Sequence, residues 1–399
     1  MSRPSSVTLS AALLLLCLGV ATRAVPARDG AAGPQAPATA KPADQQAAKQ
    51  KKPPSAKLAD PWPDAAKLAE RRVEAEKRQL FQSEEQFPFT LKADFKAVNR
   101  ERTPESTKRF PATLTVAGPD GKDVTIPVSL GTRGKSRLNP RTCSFVPLRV
   151  DFPKKELLKG TLFDGQESLK LITHCENEDS QDQYILLEQL TYRIFNVLTP
   201  RSFRARLARA TYVDSGNDKA IATRNAVFVE DDGDLARRLE GRSVALPRLQ
   251  FKDLDRDSLV LMMLFQYMIG NTDFSIYALH NVRFVTTPAK VFYPVVWDFD
   301  MAGLVSAPYA APAQVLGLGS VRDRLYRGPC LTQDQYAPYL DVFRAKQAEV
   351  MAAVDSQPGL DEQRRRTAKA FLDRFYVTLG RPGDVKKEFV DRCRAQPTM

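Results

Sequence analysis

Histidine is nearly missing from this chain of 399 residues, with only His174 and His280 present. No CxxC or HxxxH pair accompanies them, so the ligand spacing of a structural zinc site is lacking. There is no GxGxxG loop either, so the chain offers no glycine-rich backbone cover for nucleotide phosphates. Long apolar runs are scarce: the one around Leu13, Leu14, Leu15 and Leu16 is too short to span a bilayer. Nor does one sign of charge dominate the body. The 59 basic and 47 acidic residues leave a net +12, but residues 1–60 hold eight Lys/Arg against three Asp/Glu, so +5 of the excess sits there and +7 is spread over the remainder. No nucleic-acid-binding face is expected from so thin an excess. What is present, 43% hydrophobic and 27% charged residues, is the composition of a globular protein with a sizeable core.

The apolar run follows Arg3 and ends in small residues, the layout of a signal peptide over residues 1–24 with cleavage after Ala21 or Ala24. Leu16 stands before Cys17, where a lipoprotein signal needs a small residue, so lipid anchoring is not the expected route. The chain is expected to be secreted or periplasmic, with no transmembrane domain once the signal is cleaved. Residues 25–60 are Ala, Pro, Lys and Gln with almost no large apolar side chain and read as a disordered tether. Residues 61–85 carry helix formers interspersed with charge and read as a polar helix. Export places the cysteines in an oxidising compartment. Cys143, Cys175, Cys330 and Cys393 allow three pairings, of which the short separation favours Cys143 with Cys175 and leaves Cys330 with Cys393.

Strand-like stretches fill the next part of the chain: ATLTVAG and VTIPVSL across a PDGKD turn, then PLRVDF, SLKLIT, RARLARATYVD and NAVFVED. Between SLKLIT and the Arg-rich strand, Leu187, Leu190, Ile194 and Leu198 fall on one helical face. From residue 235 the pattern is mostly helical, with a strand pair around VRFVTT and KVFYPVVW. The reading is α+β: a smaller sheet-plus-helix lobe over residues 86–234 and a larger helical lobe over 235–399. Thr332 and Gln335 form a capping-box pattern.

GTRGKS (131–136) follows a strand and is similar to a phosphate loop, but Ser129 stands where the first glycine belongs and RLNPRT follows where a helix must begin. Arg133, Lys135 and Arg137 are left either as phosphate ligands on a loop or as a solvated basic turn. Asp253, Asp255 and Asp257 alternate like calcium ligands without the glycine and distal glutamate, so helix capping is expected. Glu230, Asp231, Asp232 and Asp234 read as a solvated turn. The informative constellation is IGNTDFSIYALHN (269–281) with PVVWDFD (294–300). Asp273 and Asn281 follow an apolar helix, while Asp298 and Asp300 end an apolar strand, where an unpaired carboxylate is costly. Arginines of the helical lobe would satisfy them, as would Mg²⁺ or Mn²⁺ shared with Asn281 and a nucleotide phosphate. Lys170, mid-strand between Leu169 and Leu171, with Glu188 on the following helix, matches the Lys–Glu pair by which kinases fix phosphates.

The ordered set of strand lysine, helix glutamate, Asp before Asn, and a strand ending in DFD resembles protein-kinase-like enzymes over residues 130–305, and most nearly the CotH-type secreted kinases. The resemblance implies a two-lobed protein-kinase-like fold and transfer of the γ-phosphoryl group of ATP to a hydroxyl-bearing acceptor, a protein or an envelope component. It implies Lys170 on nucleotide phosphate, Glu188 orienting it, Asp273 as catalytic base, Asn281 as second metal ligand and Asp298 or Asp300 as the principal one. NTD in place of HRD and the longer step from Asp273 to Asn281 depart from the kinase pattern. A non-catalytic module binding an envelope polymer or a protein partner is the alternative, and hydrolysis with His280 as acid or base is a third.

Overall fold

The computed structural model describes residues 56–152 and 154–397. The signal peptide and nearly all of the tether lie outside the described residues. Phe87, Phe89, Leu91 and Ala93 point inward from β1 (Phe87–Ala93), while Pro88, Thr90 and Lys92 point out. The same period of two recurs in β2 (Phe110–Ala117), β3 (Asp123–Thr132) and β4 (Leu148–Asp151). With β5 (Ser168–Ile172), β6 (Ala205–Asp214) and β7 (Ala220–Val229) they form a closed barrel in the order β1-β2-β3-β4-β5-β7-β6. Neighbours are antiparallel except β1 and β6, whose parallel pairing closes the ring.

This overturns the two-lobed protein-kinase-like expectation: the chain builds a closed seven-stranded barrel with helices around it. The deciding element is β1. Pro88 lacks a donor and makes the segment read poorly as strand. Phe87, Pro88 and Phe89 pair only with β6, and the ladder to β2 starts at Thr90, so the missing N–H breaks no β1–β2 bond. Once β1 bridges β2 and β6, the sheet has no edge left to expose.

Aromatic rings fill the barrel. Phe228 lies 5.1 Å from Phe89 and 5.2 Å from Phe163, and Tyr212 packs on Phe95 and Phe145. In chain order the helices are α1 (Ala56–Ala59), α2 (Ala65–Glu76), α3 (Phe95–Arg100), α4 (Asp179–Leu198), α5 (Asp232–Arg238), α6 (Arg256–Ile269), α7 (Gln333–Ala345), α8 (Gln347–Asp355), α9 (Glu362–Leu379) and α10 (Pro382–Val385). A second apolar cluster joins α4 through α10, while α3 packs into the barrel cluster. A small sheet of β8 (Arg242–Val244), β9 (Val282–Thr286) and β10 (Phe292–Val296) runs in the order β10-β9-β8. Asp255 caps α6 through Ser258 N, and the Thr332–Gln335 capping box opens α7. Gly270, left-handed at φ 66°, stops α6 and turns the chain into the 271–281 loop.

One expectation fails on burial. Glu230 is fully buried and holds Arg204 and Arg238, and Asp234, buried too, holds Arg78 and Arg237. The acidic run is thus an ion-pair hub, not a solvated turn: β7 runs straight into α5 under the arginines of neighbouring elements. The end of the tether is also docked, since Arg242 donates to the Asp60 carbonyl at 2.7 Å and stacks on Trp62. Both disulfides form, Cys143–Cys175 and Cys330–Cys393, with Cα separations of 4.7 and 4.9 Å. They fit an oxidising, extracytoplasmic compartment. No described helix is long and apolar enough to cross a membrane.

Candidate functional site

A cleft of about 500 Å³ opens beside the barrel, lined on one side by Arg109, Arg133, Lys135, Arg137 and Arg149 and on the other by Asp273, His280, Asn281, Trp297, Asp298 and Asp300. Its basic wall comes from the residue before β2, from the loop after β3 and from β4. Gly134, at φ 90°, bends the chain after β3 so that Arg133 and Lys135 both face the cleft. The acidic wall comes from the α6–β9 loop and from the segment after β10. Three non-glycine residues here, Leu279, Asn281 and Asp298, hold left-handed backbone at φ 55°, 51° and 66°. Such strain persists only where surrounding contacts over-determine it, and it gathers at functional sites.

Asp273 is held from two sides. His280 Nε2 lies 3.0 Å from its Oδ1, and Asn281 Nδ2 donates to its Oδ2 at 3.1 Å and to its main-chain oxygen at 2.9 Å. The Asp273 hydrogen bond raises the His280 pKa. Asn281 spends its amide N–H groups on Asp273, which leaves its Oδ1 as an acceptor or ligand. Asp298 is placed by its own N–H, which donates to the buried Tyr192 hydroxyl at 2.9 Å. Its carboxylate stands 4.0 Å from Arg133.

Below them lies a crowd of carboxyls. Burial and the neighbouring Asp298 push Asp300 up to about 7, against Arg137, while Tyr309 donates to it at 3.2 Å. Glu188, 2% exposed on α4, has one oxygen with no hydrogen-bond partner. Burial first, then Asp300 and Asp298, drive its pKa well above the usual carboxylate range. Arg137, buried beside them, donates to the carbonyls of Thr173 and His174. The cations nearest Asp298 and Asp300 thus come from the loop after β3, while Arg327 of the helical region donates to the carbonyls of Thr272 and Phe274 on either side of Asp273.

The expected Lys170–Glu188 pair is not made. Lys170 Nζ binds Asp232 at 2.5 Å, and Asp232 also accepts from Arg283 at 2.8 Å. Lys170 and Glu188 point to different neighbours because residue 170 lies opposite Arg149 in β4 and Val229 in β7, next to the start of α5. Lys170, Arg133 and Arg283 all approach the Trp297 ring, at 4.8, 5.6 and 5.2 Å. Asp273, Asn281, Asp298, Asp300, Arg133 and Lys135 do come together in the cleft, whereas Lys170 stands behind Trp297. Sequence reasoning missed Asp232, Arg283, Arg109 and Arg149. The two strand arginines had a signal, an outward position in an otherwise apolar alternation.

Among the described residues no three His, Cys, Asp or Glu side chains form a ready metal site. Mg²⁺ uses one or two carboxylates together with substrate phosphates and water, and Asp298 with Asp300 has that donor chemistry, beside the orphaned oxygen of Glu188. Compared with known proteins, the chain matches no family model and no curated protein.

Proposed function

We propose that the cleft transfers a phosphoryl group from a nucleotide to a hydroxyl, with a divalent cation. The observation that carries this reading is the meeting of Asp273, Asn281, Asp298 and Asp300, from two separate chain segments, with Arg133 and Lys135 in one cleft. Asp298 and Asp300, with Asn281 Oδ1, would hold Mg²⁺ or Mn²⁺, which supplies charge neutralisation on the phosphates. Asp273, oriented by Asn281 and His280, accepts the proton of the acceptor hydroxyl as its oxygen bonds to phosphorus. Arg133 and Lys135 offset the charge on the phosphoryl oxygens, and the nucleoside diphosphate leaves. The likeness of the DFD and Asp–Asn motifs to CotH-type secreted kinases supports this chemistry.

One observation favours a second reading, a binding module without catalysis. Lys170, the lysine such a kinase keeps for phosphate, is occupied by Asp232.

Calorimetry of the mature chain with Mg²⁺ or Mn²⁺ plus ATP separates the two. Asp298→Asn is expected to abolish metal-dependent nucleotide binding, while Asp273→Asn keeps binding and loses phosphoryl transfer by 10²-fold or more. Binding without transfer in the unaltered chain selects the binding module, and binding untouched by either variant ends the phosphotransfer reading.

A further inference from the structure

We propose that Arg109 and Arg149 form a second anion subsite of the cleft, built to take a phosphate group and separate from the Arg133–Asp298 centre. The two arginines flank Gly131: Arg149 lies opposite it in β4, and a Cβ on Gly131 would stand 2.7 Å from Arg109 Nη1. The glycine is therefore what lets the Arg109 guanidinium lie across β3. One carboxylate sets both side chains, since Arg109 Nε donates to Asp151 Oδ2 at 2.5 Å and Arg149 Nε to Oδ1 at 2.8 Å. Ser168 Oγ donates to the same Oδ1, fixing the carboxylate in turn.

That arrangement uses the Nε edges and leaves terminal nitrogens over. Arg149 makes no hydrogen bond through either Nη among the described residues, and Arg109 uses only Nη1, on the Lys108 carbonyl at 3.0 Å. Both side chains are more than a third exposed, at 37% and 38%, and both line the cleft with Lys135. The two guanidiniums against the single carboxylate of Asp151 leave one positive charge, which favours an anion, and Lys135 of the neighbouring centre lines the same cleft. Glu105, the acid lining this side, is an exposed rim residue. Pre-set guanidinium forks match tetrahedral oxyanions better than a point-charged ammonium does.

The subsite is tested by calorimetric titration of the mature chain with inorganic phosphate, without metal or nucleotide, so its outcome is independent of phosphotransfer. Arg109→Gln and Arg149→Gln are each expected to weaken phosphate binding at least tenfold. Arg149→Lys, which keeps the charge and the ion pair but loses the fork, is expected to weaken it several-fold, and this variant serves if a Gln variant fails to fold. A parallel titration with glucose 6-phosphate tells a phosphate ester from the free ion as the preferred ligand, and loss of either through Arg149→Gln supports the subsite. No phosphate binding by the unaltered chain, or binding that survives both Gln variants and disappears with Arg133→Gln, overturns it.

Discussion

The barrel interior and the floor of the cleft are both buried, yet they are built on opposite terms. Inside the barrel, Phe87, Phe89, Phe163 and Phe228 meet one another at ring distances of 5.1–6.2 Å. On the cleft floor, Glu188, Asp300 and Arg137 are as buried, but two of the three are carboxyls that burial drives toward the neutral form. Dense apolar packing lowers the free energy of the folded chain. A crowd of like charges raises it, and is retained where a ligand restores the balance. The difference teaches which buried region stabilises the fold and which one is held in place by it.

The comparison breaks most easily at Phe228. Truncation to Ala removes a ring touched on three sides and is expected to cost about 3–5 kcal/mol, read from denaturant unfolding. A cost below about 1 kcal/mol would mean that the barrel interior is not the stabilising core.

His174 tests the same region with a charge. Its ring packs on Phe145 at 4.3 Å and Tyr212 at 5.3 Å, and burial, helped by Arg137, lowers its pKa from 6.5 to about 3. The imidazole is neutral in the folded chain, whereas the unfolded chain protonates it below about 6.5. Its contribution is therefore full above that pH and is lost as pH falls toward 3, by about 1.4 kcal/mol per pH unit. Comparing the chain with His174→Asn at pH 7 and pH 4.5 isolates this loss, since other acid-sensitive groups are common to both. A shared pH slope would refute the burial argument. His280 works in the opposite sense, because its hydrogen bond to Asp273 raises its pKa, so its contribution is present at low pH and fades as pH rises through that raised value.

The smallest effect sharpens the contrast by its sign. Glu188→Gln keeps the shape of the side chain and removes the cost of folding a carboxyl whose pKa burial raises, so the metal-free chain is expected to gain about 1 kcal/mol of stability at pH 8. A loss instead would show that the Glu188 charge is already balanced by Arg137 and Arg133.

Residues with local signatures were legible in the chain before folding was considered. The strands from ATLTVAG to NAVFVED, the helix carrying Leu187 to Leu198, the caps at Asp255 and Thr332, and the β9–β10 pair all follow from periodicity and capping chemistry that act over a few residues. So did Asp273, Asn281, Asp298 and Asp300, because polar side chains at the ends of apolar elements need partners wherever those elements go. The cysteine pairing was favoured by separation alone, and proximity in the folded chain settled it.

Long-range pairing lay beyond such signals. That β1 closes a barrel depends on β6, far along the chain, offering a parallel partner to a segment with a proline in it. That Lys170 takes Asp232 in place of Glu188 depends on the register of β5 against β7, which delivers the start of α5 to the lysine. The fate of the acidic run depended on arginines gathered from the residue before β6, from α5 and from the segment after α2. Sequence by itself determined most of the strands and helices, β1 excepted, and which side chains would need a counter-charge, because those follow from neighbours within a turn or two. Only the tertiary structure decided which counter-charge each one met, because electrostatic partners are chosen by distance in space and the barrel closure sets those distances.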